Sequence, residues 1–241
     1  NLHAFAHEEG VTAGNPAAET QVPKLGKRLP KALSVAEIDA LLASPDREDP
    51  IGMRDAVLLE MLYGTGARVS EIANARRCDL RLDAPATIRL SGKGRKVRIV
   101  PLCDQVAGMA SAYLAATAGA PDSPLFVNRS GKAIGRAGIT YVLKKHVAAA
   151  HEADPLVVPP TTHPHALRHS KAVHLVEADV NIIYIRDFMG HSSVKTTEIY
   201  AKISSKSRQK AVEKAAANLI MGSAYGEEDK SAIMEWLRNL L

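Results

Sequence analysis

The chain of 241 residues is long enough for one large domain, or for one domain with a small appendage, and its 46% apolar content with only 4% aromatics rests on aliphatic side chains and leans the fold toward helix. Lysine and arginine outnumber aspartate and glutamate by 31 to 26, a net charge of +5 that suits a polyanionic partner without establishing one. The apolar runs are too short to span a bilayer, no signal peptide stands out, and Cys78 and Cys103 fit no metal or redox spacing, so a reducing, intracellular setting with no membrane partner is the simpler reading.

The chain opens at Asn1 rather than at a methionine and reads as a fragment or a processed product. Residues 1–9 have the pattern of the last turns of a helix, with Leu2 and Phe5 apolar and Gly10 ending it. Residues 11–33 hold Pro16, Pro23 and Pro30 among several cations, an extended linker. Ser34-Val-Ala-Glu37 is a capping box, and Val35, Ile38, Leu41 and Leu42 follow at helical spacing. A second helix at 53–63 is apolar nearly all round and is expected at the centre of the core. Gly64-Thr-Gly66 breaks it, and a short helix follows from Val69 to Arg76 with Arg68 at its start. Residues 86–90 and 97–102 read as two strands of a hairpin, with Lys93 in the Gly-rich turn between them. Helices are expected at 104–117, 136–151, 164–178 and 181–189, the last ending at Gly190; a shorter one carries Tyr200 and a longer one covers 205–220. The tail at 227–241 starts acidic and lines up Ile233, Met234, Leu237, Leu240 and Leu241 on one face. The fold class is therefore mainly α with a small antiparallel β-hairpin, α+β.

Six polar residues carry most of the chemical information: Arg68, Lys93, His165, Arg168, His191 and Tyr200. A phosphodiester under attack gathers negative charge on its non-bridging oxygens, and the planar fork of an arginine suits that charge, so Arg68 and Arg168 are candidate clamps. A lysine at a Gly-flanked tip can protonate the leaving 5′ oxygen, which fits Lys93. Histidines near neutrality can donate to phosphate oxygens or accept a tyrosine proton, which fits His165 and His191. Tyr200 supplies an oxygen nucleophile that needs cationic neighbours, since a phenol ordinarily ionises near pH ~10. Taken singly, each has an ordinary structural explanation; Arg68 suits a helix start paired with Glu71, and Lys93 a solvated turn. A zinc site at His163, His165, His169 and His174 is disfavoured, because Arg168 and Lys171 stand beside them and no acidic ligand is near. Neither Gly64-Thr-Gly66 nor Gly92-Lys-Gly94 completes a phosphate-binding loop.

In order and spacing these residues resemble the tyrosine recombinases of the phage integrase family, most of all their Xer-like bacterial branch. Gly64-Thr-Gly-Ala-Arg-Val-Ser-Glu-Ile72 resembles the first-arginine box, Ser91–Pro101 the β-hairpin lysine region, His163–His169 the HxxR box, and Met189–Tyr200 the second-histidine and nucleophile box. The resemblance covers roughly residues 20–220 and implies a tyrosine recombinase-type catalytic domain. Tyr200 would attack the scissile phosphate and form a 3′-phosphotyrosyl link, Arg68 and Arg168 would bind the phosphate, and Lys93 would protonate the leaving oxygen. His165 would assist proton transfer, His191 would hydrogen-bond the phosphate, and Glu71 would brace Arg68. Because the covalent link conserves the bond energy, no ATP, metal or other cofactor would be needed. Double-stranded DNA would be the partner, with a homotetramer on paired sites, or a related recombinase protomer in it, inside the bacterial cytoplasm. Residues 1–10 would be the tail of an N-terminal DNA-binding domain, 11–33 a linker, 34–220 the catalytic domain, and 221–241 a tail helix docking on its own or a neighbouring protomer. Ser170-Lys171 departs from the family pattern and adds a cation to the HxxR helix. A type IB topoisomerase and a non-catalytic DNA-binding regulator are the competing functions. The biological role stays open between chromosome dimer resolution, phage integration and transposition.

Overall fold

The local signals of the sequence build a helical frame around one very apolar segment. The computed structural model describes residues 2–16, 32–92, 94 and 96–203; most of the expected linker, Lys93, the expected helix at 205–220 and the tail at 227–241 lie outside the described residues. Helix α1 spans Leu2–Glu8 and leaves Leu2 and Phe5 exposed. Helix α2, Val35–Ala43, opens on the expected capping box: the Glu37 amide donates to Ser34 Oγ (3.2 Å) and the Ser34 amide donates to Glu37 Oε2 (2.5 Å). Helix α3, Pro50–Gly64, starts earlier than expected. Asp49 caps it by accepting the Gly52 amide at 2.8 Å, and Pro50 occupies the first turn, where a missing N–H costs nothing.

Every residue from Ala56 to Leu62 is buried, so α3 is the axis on which the domain is built. Helix α2 packs on it, as do α4 (Val69–Ala73), α5 (Asp104–Ala116), α6 (Arg136–Ala153) and α7 (Pro164–Glu177). Each fully buried leucine of this axis stabilises the fold by roughly 1.5–3 kcal/mol relative to exposure. Asp55 pins α3 to α6: buried, it accepts from Arg54 and from His146 Nε2 at 3.0 Å. Burial alone would raise its pKa, but those hydrogen bonds outweigh burial and lower it.

The expected hairpin is one edge of a three-stranded antiparallel sheet in the order β1-β2-β3, with β1 at Leu80–Arg81, β2 at Thr87–Ser91 and β3 at Val97–Pro101. Strand β1 left no signal in the sequence because two residues cannot display an alternation. The register pairs Ile88 with Val100 and Leu90 with Arg98, on the face turned toward the core. Val97 and Ile99 point outward and stay exposed. The short helix after Arg68 is α4, which closes at Ala73 rather than reaching Arg76.

Helices α7, α8 (Ile182–Met189) and α9 (Val194–Ile203) form a second apolar cluster of Ala172, Val173, Val176, Ile185, Met189 and Tyr200. Leu33, assigned to the linker by sequence, is buried, and its amide donates to Ser170 Oγ at 2.8 Å. Lys171 lies over the Tyr63 ring, 5.2 Å from its centroid, which accounts for a half-buried cation on α7. No helix among the described residues is long and apolar enough to cross a membrane.

Candidate active site

Two glycine turns bring the boxes together. Gly66 ends the α3 break and Gly190 follows α8, and both have positive φ, +57° and +61°. A Cβ on Gly66 would lie 2.7 Å from Met189 Sδ, and one on Gly190 would lie 3.0 Å from Arg98. The positive φ favours glycine at both positions, and a side chain there would also have to displace Met189 or Arg98. The carbonyls of Gly66 and Gly190, with that of Met189, accept from the two arginines of the motif. Arg68 donates from Nη2 to Gly190 O at 3.1 Å, and Arg168 donates to Gly66 O and to Met189 O.

Arg68 caps α4 at its N-terminus. Its amide donates to Glu71 Oε2 (2.7 Å) and its Nη1 to Glu71 Oε1 (2.8 Å), while about a third of its side chain (34%) remains open to solvent. Glu71 therefore holds Arg68 at two points. It holds a second arginine as well. Arg98 of β3 meets Glu71 with both Nη atoms, at 2.7 and 2.8 Å, and its Nε donates to Phe188 O at 3.0 Å. Burial would push the Glu71 pKa up, but the hydrogen bonds from Arg98 and Arg68 prevail and hold it at about 2. Arg98 was not legible as a site residue. On a strand reading Val-Arg-Ile-Val, alternation alone cannot say which face is inside, and here Arg98 takes the inner face while Val97 and Ile99 take the outer.

Arg168 is buried on α7. Burial, and then the positive charges of Arg68 and Arg98, lower its pKa to about 10, still far above neutrality. His165 begins the same helix and is exposed; partial desolvation, then His163, Arg168 and Arg68, lower its pKa. His163 does not reach the cluster as a ligand: it is the N-cap of α7, its Nδ1 accepting the Ala166 amide at 3.2 Å. His191 sits between α8 and α9 with Nδ1 3.0 Å from Thr197 Oγ1. Burial and the three arginines Arg168, Arg68 and Arg98 keep it neutral, with a pKa of about 4.

Tyr200 lies on α9 and is only 3% exposed. Its ring stacks 6.1 Å from that of His191. Its hydroxyl meets His169 Nδ1 at 2.8 Å, a partner outside the six-residue pattern, 31 positions away and marked by no local signal. Burial raises the Tyr200 pKa, and Arg168 and Arg68 oppose that rise. Lys93, the remaining residue of the pattern, lies outside the described residues.

Arg68, Glu71, Gly92, Lys96, Arg98 and His191 line one open cleft of about 590 Å3. Its cations outnumber its carboxylates, and its walls include the arginine fork left partly open at Arg68. Such a cleft can hold an anion the size of a phosphodiester and stabilise charge that develops on it. Lys171 lines a different cavity, with Gly64, Cys103, Val106 and Leu175. Among the described residues, no group of three or more His, Cys, Asp or Glu stands close enough to hold a metal ion.

Residues 31–207 match the model of the phage integrase family. The chain is 35% identical over 208 residues to tyrosine recombinase XerD of Halalkalibacterium halodurans, covering 84% of this chain and 67% of that protein. It is 37% identical over 213 residues to tyrosine recombinase XerD of Corynebacterium glutamicum, covering 86% and 68%. Among solved structures it is similar to the XerH site-specific recombinase bound to palindromic difH substrate in a post-cleavage complex, with a TM-score of 0.66 and 25% identity over 81% of this chain and 55% of that one. The chain thus spans about two thirds of the length of these curated relatives and about half of that solved chain.

Proposed function

The chain belongs to the phage integrase family, and on that premise we propose that it is a site-specific DNA recombinase that cuts and rejoins double-stranded DNA through a tyrosine. Arg68 and Arg168 bind the scissile phosphate and stabilise the charge that builds on its non-bridging oxygens. Tyr200 attacks phosphorus and forms a 3′-phosphotyrosyl link. Lys93 protonates the departing 5′ oxygen, His165 assists proton transfer, and His191 hydrogen-bonds the phosphate. Glu71 acts through Arg68, fixing the fork before substrate arrives, so that no reorganisation is needed at the moment of reaction. A 5′ hydroxyl from a partner strand then reverses the step. Four protomers on two paired sites carry out the exchange, in the cytoplasm of a bacterium.

The observation that supports this reading best is the direct contact among three of the boxes: Arg68 donates to Gly190 O, Arg168 donates to Gly66 O and Met189 O, and the Tyr200 ring stacks against that of His191. The relatives' names favour strand exchange over the relaxation chemistry of a type IB topoisomerase. A target site selected from a random duplex library, rebuilt as a nicked suicide substrate, tests the reading. The expected result is a protein–DNA adduct that survives SDS and disappears in Tyr200→Phe. An adduct that persists in Tyr200→Phe, or none on a site the protein binds, overturns it.

A further inference from the structure

We propose that His169 is a catalytic residue, the base that receives the Tyr200 proton as the nucleophile attacks. This rests on the reading of Tyr200 as nucleophile and adds a group outside the six-residue pattern. The geometry is direct. His169 Nδ1 stands 2.8 Å from Tyr200 Oη, and the rings lie 5.6 Å apart. Tyr200 is only 3% exposed, and with the neutral imidazole carrying its proton on Nε2 the Tyr200 hydroxyl donates to His169 Nδ1. The other two histidines of the site engage differently. His191 meets Tyr200 ring to ring, and its Nδ1 is engaged with Thr197 Oγ1 at 3.0 Å; His165 is exposed, with its ring 6.2 Å from that of His169.

The Tyr200 O–H bond breaks and its proton moves to His169 Nδ1, while the freed electron pair forms the O–P bond. The P–O5′ bond breaks, and the leaving oxygen takes a proton from the general acid. On rejoining, the imidazolium returns its proton to the tyrosine.

The surroundings tie this base to substrate. Burial, then His165, Arg168 and His163 on its own helix, lower the His169 pKa to about 4. From the neighbouring elements Tyr200 on α9 and His191 ahead of it face the same spot. Without DNA, His169 is a weak base and the tyrosine keeps its proton. A phosphate settling on Arg168 cancels part of the cationic field and makes His169 a stronger base where and when it is needed.

The test uses the 241-residue chain and single-turnover cleavage of the nicked suicide duplex. His169→Ala is expected to slow adduct formation by about 100-fold, the lower end of general-base contributions. DNA retention in a gel shift should change little. His169→Gln, which keeps a polar acceptor but cannot take a proton, should be as slow as His169→Ala. Added imidazole should restore the rate of His169→Ala and not that of His169→Gln. The parent's rate should rise with pH through one ionisation that both variants lose. Full activity in His169→Gln overturns the proposal, because a hydrogen-bond partner would then suffice; so does a His169→Ala loss that imidazole leaves untouched. In both cases a Tyr200-dependent adduct in the parent leaves the recombinase reading standing. A parent that forms no adduct sinks that reading and this proposal together.

Discussion

At the scale of single residues, the site is held by one buried carboxylate shared between two arginines. Removing the Glu71 charge leaves Arg68 and Arg98 facing each other across a buried space. Glu71→Gln should therefore destabilise the protein by roughly 3–5 kcal/mol, measured by urea unfolding at neutral pH. The same carboxylate sets an acid limit. Its folded pKa of about 2 lies below the ordinary value of 4.5, so its contribution is complete above pH 4.5 and is lost as pH falls toward 2. His169 and His191 add a second window. Each is held near 4 against an ordinary 6.5, so the unfolded chain binds more protons between those values and stability falls as pH drops from 6.5 toward 4. The urea midpoint should decline in two stages on acidification, and in His169→Gln the first stage should shrink. The motif residues could be read from sequence because each box is local: a glycine turn, an arginine and a histidine a few residues apart. Arg98 and His169 could not, because their partners lie 27 and 31 positions away and nothing local marks the pairing.

At the scale of elements, the glycine turns and the β3 strand do the aligning. Gly66→Ala places a methyl group against Met189 Sδ in a backbone conformation that L residues rarely adopt. It should cost at least about 1–3 kcal/mol in thermal or urea unfolding, and it displaces the carbonyl on which Arg168 rests. Arg98 joins three elements: it stands on β3, grips Glu71 of α4, and donates to the end of α8 at Phe188. Arg98→Lys cannot reproduce the two-pronged grip. It should lower the rate of suicide-substrate cleavage on the order of 10²-fold, through misplacement of the phosphate-binding groups, with little change in site binding by gel shift. Helix boundaries were legible wherever a cap residue marked them, as at Ser34 and Gly190. The start of α3 was missed because its signal, Asp49-Pro50, lies outside the apolar run that gave the helix away.

At the scale of the whole molecule, the basic surplus and the cationic cleft lead to a salt-sensitive complex. The affinity for the selected duplex should fall linearly on a log–log plot against salt, with a slope near −0.9 for each phosphate neutralised. Arg68→Ala should reduce that slope by about one. Residues 227–241 are proposed to serve assembly rather than chemistry. Deleting them should leave single-site binding largely intact while paired-site complexes are lost in a native gel, and unchanged pairing would assign the tail to its own domain. The division into α3-centred and α7–α9 clusters was not visible in the sequence, since both use the same aliphatic alphabet and only packing separates them. One stitch runs between them. The chain arriving at α2 is fastened at Leu33 to the hydroxyl of Ser170, two residues past Arg168 and one past His169. A displacement of the chain at Leu33 is thereby delivered to the helix that carries Arg168 and His169.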